Sequence, residues 1–127
     1  MRIFKNRWFI RFARKEGISN AALCDAVGRA ERGLVDADLG GGLIKQRVAR
    51  QGEGRSGGYR TIIAFMSGQT AFFLFGFAKS DRENLEPAEL SGFKKLAALL
   101  LPLEAPELNG QVKIGELIEV FCYDQDL

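Results

Sequence analysis

Near its start the chain twice repeats apolar residues at helical spacing. Over residues 5–16, Trp8, Phe9, Phe12 and Ala13 recur among Arg7, Arg11, Arg14 and Lys15. One face is apolar and the other cationic, the pattern of an amphipathic helix. Gly17 stops this helix. Ser19 then stands as N-cap to a second one, whose stripe of Leu23, Ala26, Val27 and Ala30 runs to Arg32 and stops at Gly33. Ahead of this αα-hairpin, residues 2–4 predict a short first strand.

After Gly40-Gly41-Gly42 the periodicity becomes that of a strand. Residues 43–50 alternate, with Ile44 and Val48 on one face and Lys45 and Arg47 on the other. Residues 51–58, rich in glycine and polar side chains, predict a hairpin loop. Residues 59–66 and 70–78 are β-branched and aromatic, and Ser67-Gly68-Gln69 joins them, which completes a three-stranded antiparallel meander. Both faces of its last two strands are apolar: Ile62 and Ala64 oppose Ile63 and Phe65, and Phe73, Phe75 and Phe77 oppose Phe72 and Leu74. Such a sheet has no wet face. Helices are expected on one side, and the C-terminal segment, a second copy or a bound partner on the other.

Pro87 opens a further helix, carried by Leu90, Phe93, Leu96, Ala97, Leu100 and Leu101 to Pro102. Pro106 opens a last short helix, and residues 117–121 read as a final strand at a sheet edge. The expectation is an α+β fold in which two N-terminal helices pack on a twisted antiparallel β-meander, followed by a C-terminal helix and a candidate edge strand. A length of 127 residues suits a single domain over residues 1–127.

Composition narrows the chemistry. There is no histidine, so serine–histidine and cysteine–histidine hydrolases, HExxH zinc enzymes and histidine-pair nucleases are excluded. Catalysis has to run on Lys, Arg, Tyr, Asp, Glu, Ser or Thr. The two cysteines, Cys24 and Cys122, form no metal-ligand pattern and no disulfide framework, and read as core or near-core thiols. The apolar runs at residues 70–78 and 96–103 fall short of the roughly 20 residues that span a bilayer. The N-terminus carries no apolar signal region. The expectation is a soluble cytoplasmic protein with no membrane partner, no cofactor and no metal.

The net charge of +2 hides an asymmetry. Residues 1–60 hold 13 basic and 6 acidic side chains (+7), and the remainder hold 5 and 10 (−5). The densest cluster is Lys45, Arg47, Arg50, Arg55 and Arg60, interrupted only by Glu53, which suits a polyanion. Gly52, Gly54 and Gly57 match a GxGxxG spacing. However, a dinucleotide fingerprint follows a strand and opens a helix, whereas this motif lies between two strands. It reads instead as a hairpin with Arg55 at its tip, where glycine lets backbone approach a phosphate.

In the meander, Lys45 and Arg47, Tyr59 and Arg60, and Lys79 with Arg82 converge into a concave basic patch with one phenol. RNA phosphodiester cleavage asks for little more. One group takes the 2′-OH proton, one holds the phosphate's developing charge, and one protonates the 5′-oxygen. The same residues suit equally a surface that contacts RNA or DNA without chemistry.

The run from Arg50 through Gly54-Arg55-Ser56-Gly57-Gly58-Tyr59-Arg60, with Gly76-Phe77-Ala78-Lys79-Ser80-Asp81-Arg82-Glu83-Asn84 and Phe93-Lys94-Lys95-Leu96-Ala97, resembles the RelE/HigB-like toxins of bacterial type II toxin–antitoxin systems. Arg2-Ile3-Phe4-Lys5 with Trp8, Phe9, Arg11 and Phe12 fits as well. The likeness covers residues 2–101 and leaves 102–127 as a C-terminal extension. It implies the same small α+β fold and an mRNA interferase: an endoribonuclease that cuts by 2′-OH attack without metal or cofactor, often on the ribosome. The implied partners are mRNA, the ribosome and a cognate helix-turn-helix antitoxin that neutralises the toxin.

By position, the resemblance makes Arg60 the clamp on the scissile phosphate. Lys79 and Arg82 become charge stabilisers or the leaving-group acid, Lys45 the candidate base, and Tyr59 an orienting or base-stacking group. Arg47, Arg50 and Arg55 become RNA contacts. Two other readings stay open: a ParE-like toxin that binds DNA gyrase without cutting, and an inactive family member.

Overall fold

The computed structural model describes residues 1–50 and 54–123, with the backbone alone for residues 54–56. Among these it is α+β, with elements β1 (Arg2–Asn6), α1 (Arg7–Glu16), α2 (Asn20–Glu31), β2 (Ala37–Gly40), β3 (Leu43–Arg50), β4 (Gly54–Met66), β5 (Thr70–Ala78), α3 (Pro87–Leu100), α4 (Ala105–Lys113) and β6 (Leu117–Val120). The six strands form one sheet in the order β2-β3-β4-β5-β1-β6. All neighbours run antiparallel except β1 beside β5.

Local chemistry sets the helix ends. The Asn6 side chain accepts the Phe9 N–H at 2.8 Å, and Ser19 accepts from Ala22 at 3.1 Å, satisfying amides that have no partner within the helix. Gly17 ends α1 at φ 69°, in the left-handed region. Pro87 opens α3 behind a capping box formed by Glu86 and Glu89.

The doubly apolar meander divides the core in two. One cluster joins Phe9 and Ala13 of α1 and Leu23, Ala26, Val27 and Ala30 of α2 to Ile3, Ile44, Val48, Tyr59, Ile63 and Phe73 of the sheet. The other joins Phe4, Leu43, Ile62, Phe72, Leu74 and Phe77 to Ala97 of α3, Leu108 of α4 and Leu117 of β6. Of the three covers open for the second face, the C-terminal segment supplies this one.

Four details differ from the sequence reading. First, β4 begins at Gly54, so residues 54–58 are strand rather than loop, and residues 51–53 lie outside the described residues. Arg50 pairs with Gly54 after a register shift that follows Val48. A Cβ on Gly58 would collide with the Val48 carbonyl oxygen there, so only glycine allows this approach.

Second, the alternation of β5 breaks. Ile62 pairs with Phe75 and Ile63 with Phe73, which leaves Leu74 as a bulge. Phe75 and Phe77 therefore join Phe72 and Leu74 on the α3 side instead of opposing them. Gly76 then faces α1, where a Cβ would stand 2.7 Å from the Phe12 ring.

Third, residues 37–40 form β2, which pairs with β3 across the glycine turn. Fourth, Cys24 and Cys122 are not separate thiols but a disulfide across 98 residues. Ile3 pairs with Val120, so the chain leaving β6 emerges beside the face of β1 that α2 covers. That separation hid the pairing from the sequence.

Candidate active site

The strand register builds the site. Arg47 lies opposite Arg60 and Lys45 opposite Ile62, while Arg60 lies opposite Phe77 and Ile62 opposite Phe75. Partners in a ladder project to the same face, so two adjacent rows, Arg47–Arg60–Phe77 and Lys45–Ile62–Phe75, lie on the α3 side. Phe75 reaches that side only because of the bulge at Leu74.

Arg60 is the centre of this group. It is 8% exposed, and its Nη1 is buried without a hydrogen-bond partner. No carboxylate among the described residues pairs with it. A buried cation without a counter-charge costs several kcal/mol, and like charges directly opposite in a ladder repel. Arg47, directly opposite, is exposed. An anion between the two guanidinium groups removes both penalties, and arginine forks match the oxygens of a phosphate.

Arg82, in the turn after β5, lies over the rings of Phe77 and Phe75, 4.9 and 5.2 Å from their centroids. Its Nη1 and Nη2 donate to the two carboxylate oxygens of Glu89 at 2.8 and 2.9 Å. That bidentate bond is the main reason the Glu89 carboxyl sits below its ordinary range and the Arg82 guanidinium above its own. Glu89 also accepts the Glu86 N–H at 2.8 Å, so the start of α3 fixes where Arg82 lies. Two of its five N–H groups are engaged in this fork, and the rest are available for another acceptor.

The same connection reaches Lys45, whose Nζ donates to Asn84 Oδ1 at 2.8 Å and to the Glu83 carbonyl at 3.3 Å. Lys79 is exposed just past β5, and its backbone N–H donates to the Gly58 carbonyl at 3.2 Å. The structure thus brings Lys45, Arg47, Arg60 and Arg82 to one face, with Lys79 at its margin.

Tyr59 and Arg50 belong to the other face. The Tyr59 ring is buried edge-on against Phe12, with centroids 5.7 Å apart, and its hydroxyl donates to Glu16 Oε1 at 3.0 Å. The Arg50 guanidinium lies 5.7 Å from the centroid of that ring. With Glu16 and Ser19 they line a cleft of about 410 Å³ on the α1–α2 side. The Arg55 side chain and Gly52 lie outside the described residues, and the following glycines are in a strand with no helix after it, which excludes a dinucleotide loop.

Sequence reasoning missed Glu89, Asn84 and the Phe75–Phe77 platform. The spacing Glu86-Pro87-Ala88-Glu89 carries a capping-box signal, but nothing local connects Glu89 to Arg82. Among the described residues no cluster of three or more His, Cys, Asp or Glu side chains could hold a metal ion. No helix among them is long and apolar enough to cross a membrane.

A family model described as RelE toxin of the RelE/RelB toxin–antitoxin system matches residues 1–120. The match continues past Leu101 through α4 and β6. No curated protein and no solved structure matches the chain.

Proposed function

Because the chain belongs to the family of RelE toxins of RelE/RelB toxin–antitoxin systems, we propose that it is an mRNA interferase whose active face is the α3 side of the meander. The observation that carries this reading is the buried, unpartnered Nη1 of Arg60 opposite a second arginine. Arg60 and Arg47 clamp the scissile phosphate. The 2′-oxygen of the preceding ribose attacks phosphorus, the bond to the 5′-oxygen breaks, and a 2′,3′-cyclic phosphate and a 5′-hydroxyl result. Lys45, released from Asn84 as substrate enters and acting as the neutral amine, takes the 2′-OH proton. Arg82 stabilises the charge that builds on the phosphate oxygens, and Lys79 supplies the proton for the departing 5′-oxygen.

Tyr59 acts from behind the sheet, its bond to Glu16 steadying the strand that carries Arg60. Arg50 and Arg55 are outlying RNA contacts. No metal or cofactor takes part. A cognate helix-turn-helix antitoxin holds the toxin inactive, and the ribosome presents the message.

The test is induction of the chain in a bacterial host, followed by primer extension on an abundant message. Discrete new 5′ ends within coding sequence, lost in Arg60→Ala, support the reading. Growth arrest with DNA breaks and no such ends transfers the chain to the gyrase-binding class. Neither arrest nor cutting makes it an inactive relative.

A further inference from the structure

The Cys24–Cys122 bond has no part in the proposed chemistry, and it is a covalent tie added to the packing of Val120 against the α2 side of the core. The β6 strand is at the sheet edge, and among the described residues its one strand ladder is with β1. Beyond that ladder, Arg2 clasps Glu119 through Nε and Nη2 at 2.9 and 2.8 Å. The disulfide adds a covalent tie from just past β6 to α2, in the helix layer over the other side of β1.

The bond is also reachable. Both cysteines line a cavity of about 320 Å³, together with Ile3, Asp25, Glu31 and Arg32, a size at the lower end of small-ligand sites. Cys24 is 5% exposed, whereas Cys122 is half-buried and is the more exposed residue of the pair. Arg32 makes no ion pair among the described residues and can receive a carboxylate. A lining of both charges suits a small zwitterionic peptide thiol, whose ammonium faces Asp25 or Glu31 and whose carboxylate faces Arg32. The chain has two cysteines, so opening one bond yields one defined pair of thiols.

We propose that the Cys24–Cys122 disulfide is a reversible thiol–disulfide exchange site, opened by a small peptide thiol that enters this cavity and closed by that thiol's own disulfide. In the opening direction the thiolate attacks Sγ of Cys122, the protein S–S bond breaks, and Cys24 leaves as a thiolate. A second thiolate attacks the small-molecule sulfur of the mixed disulfide and releases Cys122. Two small thiols are oxidised to one disulfide while the protein gains two electrons and two protons. The oxidation state sets how firmly β6 is held, independently of RNA cleavage.

The test uses the full chain in glutathione buffers, with thiols counted by alkylation and mass spectrometry under native conditions, alongside thermal unfolding. In excess oxidised glutathione the bond should close completely. In excess reduced glutathione both cysteines should alkylate without denaturant, and the melting temperature should fall by about 15–20 °C, as expected for opening a loop of this length. Cys24→Ser should accumulate the glutathione adduct on Cys122 and melt at one temperature in both buffers. Two free thiols under oxidising conditions would overturn the pairing. A bond reducible only after denaturation would overturn the exchange site and leave a static crosslink.

Discussion

Two buried arginines lie on opposite sides of the sheet, and their surroundings separate a structural cation from a functional one. Arg29, 6% exposed on the α2 side, is fully occupied. Its Nε donates to Asp25 Oδ2 at 3.1 Å, its Nη1 lies 3.8 Å from Asp36 Oδ2, and its Nη2 donates to the Arg47 carbonyl. Arg60, 8% exposed on the α3 side, has an idle Nη1 and a second arginine opposite. Burial is nearly equal, while neutralisation differs completely. The two are also linked: Asp36 accepts the Arg47 N–H at 2.6 Å while Arg29 holds the Arg47 carbonyl. The satisfied arginine thus fixes the backbone of the residue that faces the unsatisfied one.

Removing each arginine should break this contrast most sharply. Arg29→Ala removes the donor to Asp25, Asp36 and the Arg47 carbonyl and should cost about 2–3 kcal/mol in denaturant unfolding, the hydrogen bonds to charged groups being lost while Asp25 and Asp36 stay solvated. Arg60→Ala should leave the unfolding midpoint at or above that of the parent, because it removes an uncompensated charge. In a single-turnover assay the same variant should slow RNA cleavage by about 10²–10³-fold, the usual cost of losing one stabilising donor. A large loss of stability in Arg60→Ala would put it in the same class as Arg29.

Acid should act on the neighbouring pair. The Glu89 carboxyl is depressed by its bond to Arg82, so the stability it contributes is fully present above the ordinary glutamate value of 4.5 and is lost as pH falls through the lower, folded-state value. Thermal unfolding followed against pH should show this acid-side loss, and Glu89→Gln should abolish that part of the profile.

Tyr59→Phe should give the smallest change. It removes the hydroxyl bonded to Glu16 and should cost about 1–2 kcal/mol of stability, with cleavage within a few-fold of the parent. A cleavage loss as large as that of Arg60→Ala would restore Tyr59 to direct chemistry.

Much of the scaffold was legible because it rests on local rules. Gly17, Ser19 and Pro87 end or open helices where their backbone preferences require, and period-two alternation alone puts Lys45 beside Arg47 on one face. The shared face of Lys45, Arg47 and Arg60 followed from a meander whose strands were readable. What escaped depends on distant partners. The bulge at Leu74 moves Phe75 and Phe77 across the sheet, and only pairing with Ile62 and Ile63 reveals it. Tyr59, next to Arg60 in sequence, faces the opposite core because alternation sends neighbours to opposite sides. The disulfide and the Arg82–Glu89 fork both needed the folded chain.

The proposed chemistry turns on Arg60 receiving a phosphate of RNA. Its most direct test is the chemistry of the cut ends on a ribosome-bound message, compared between the parent and an Arg60→Ala variant shown to melt no lower. The parent should leave 5′-hydroxyl and 2′,3′-cyclic phosphate ends, and the variant none above background. Equal cutting by Arg60→Ala, or 5′-phosphate ends from the parent, would contradict it.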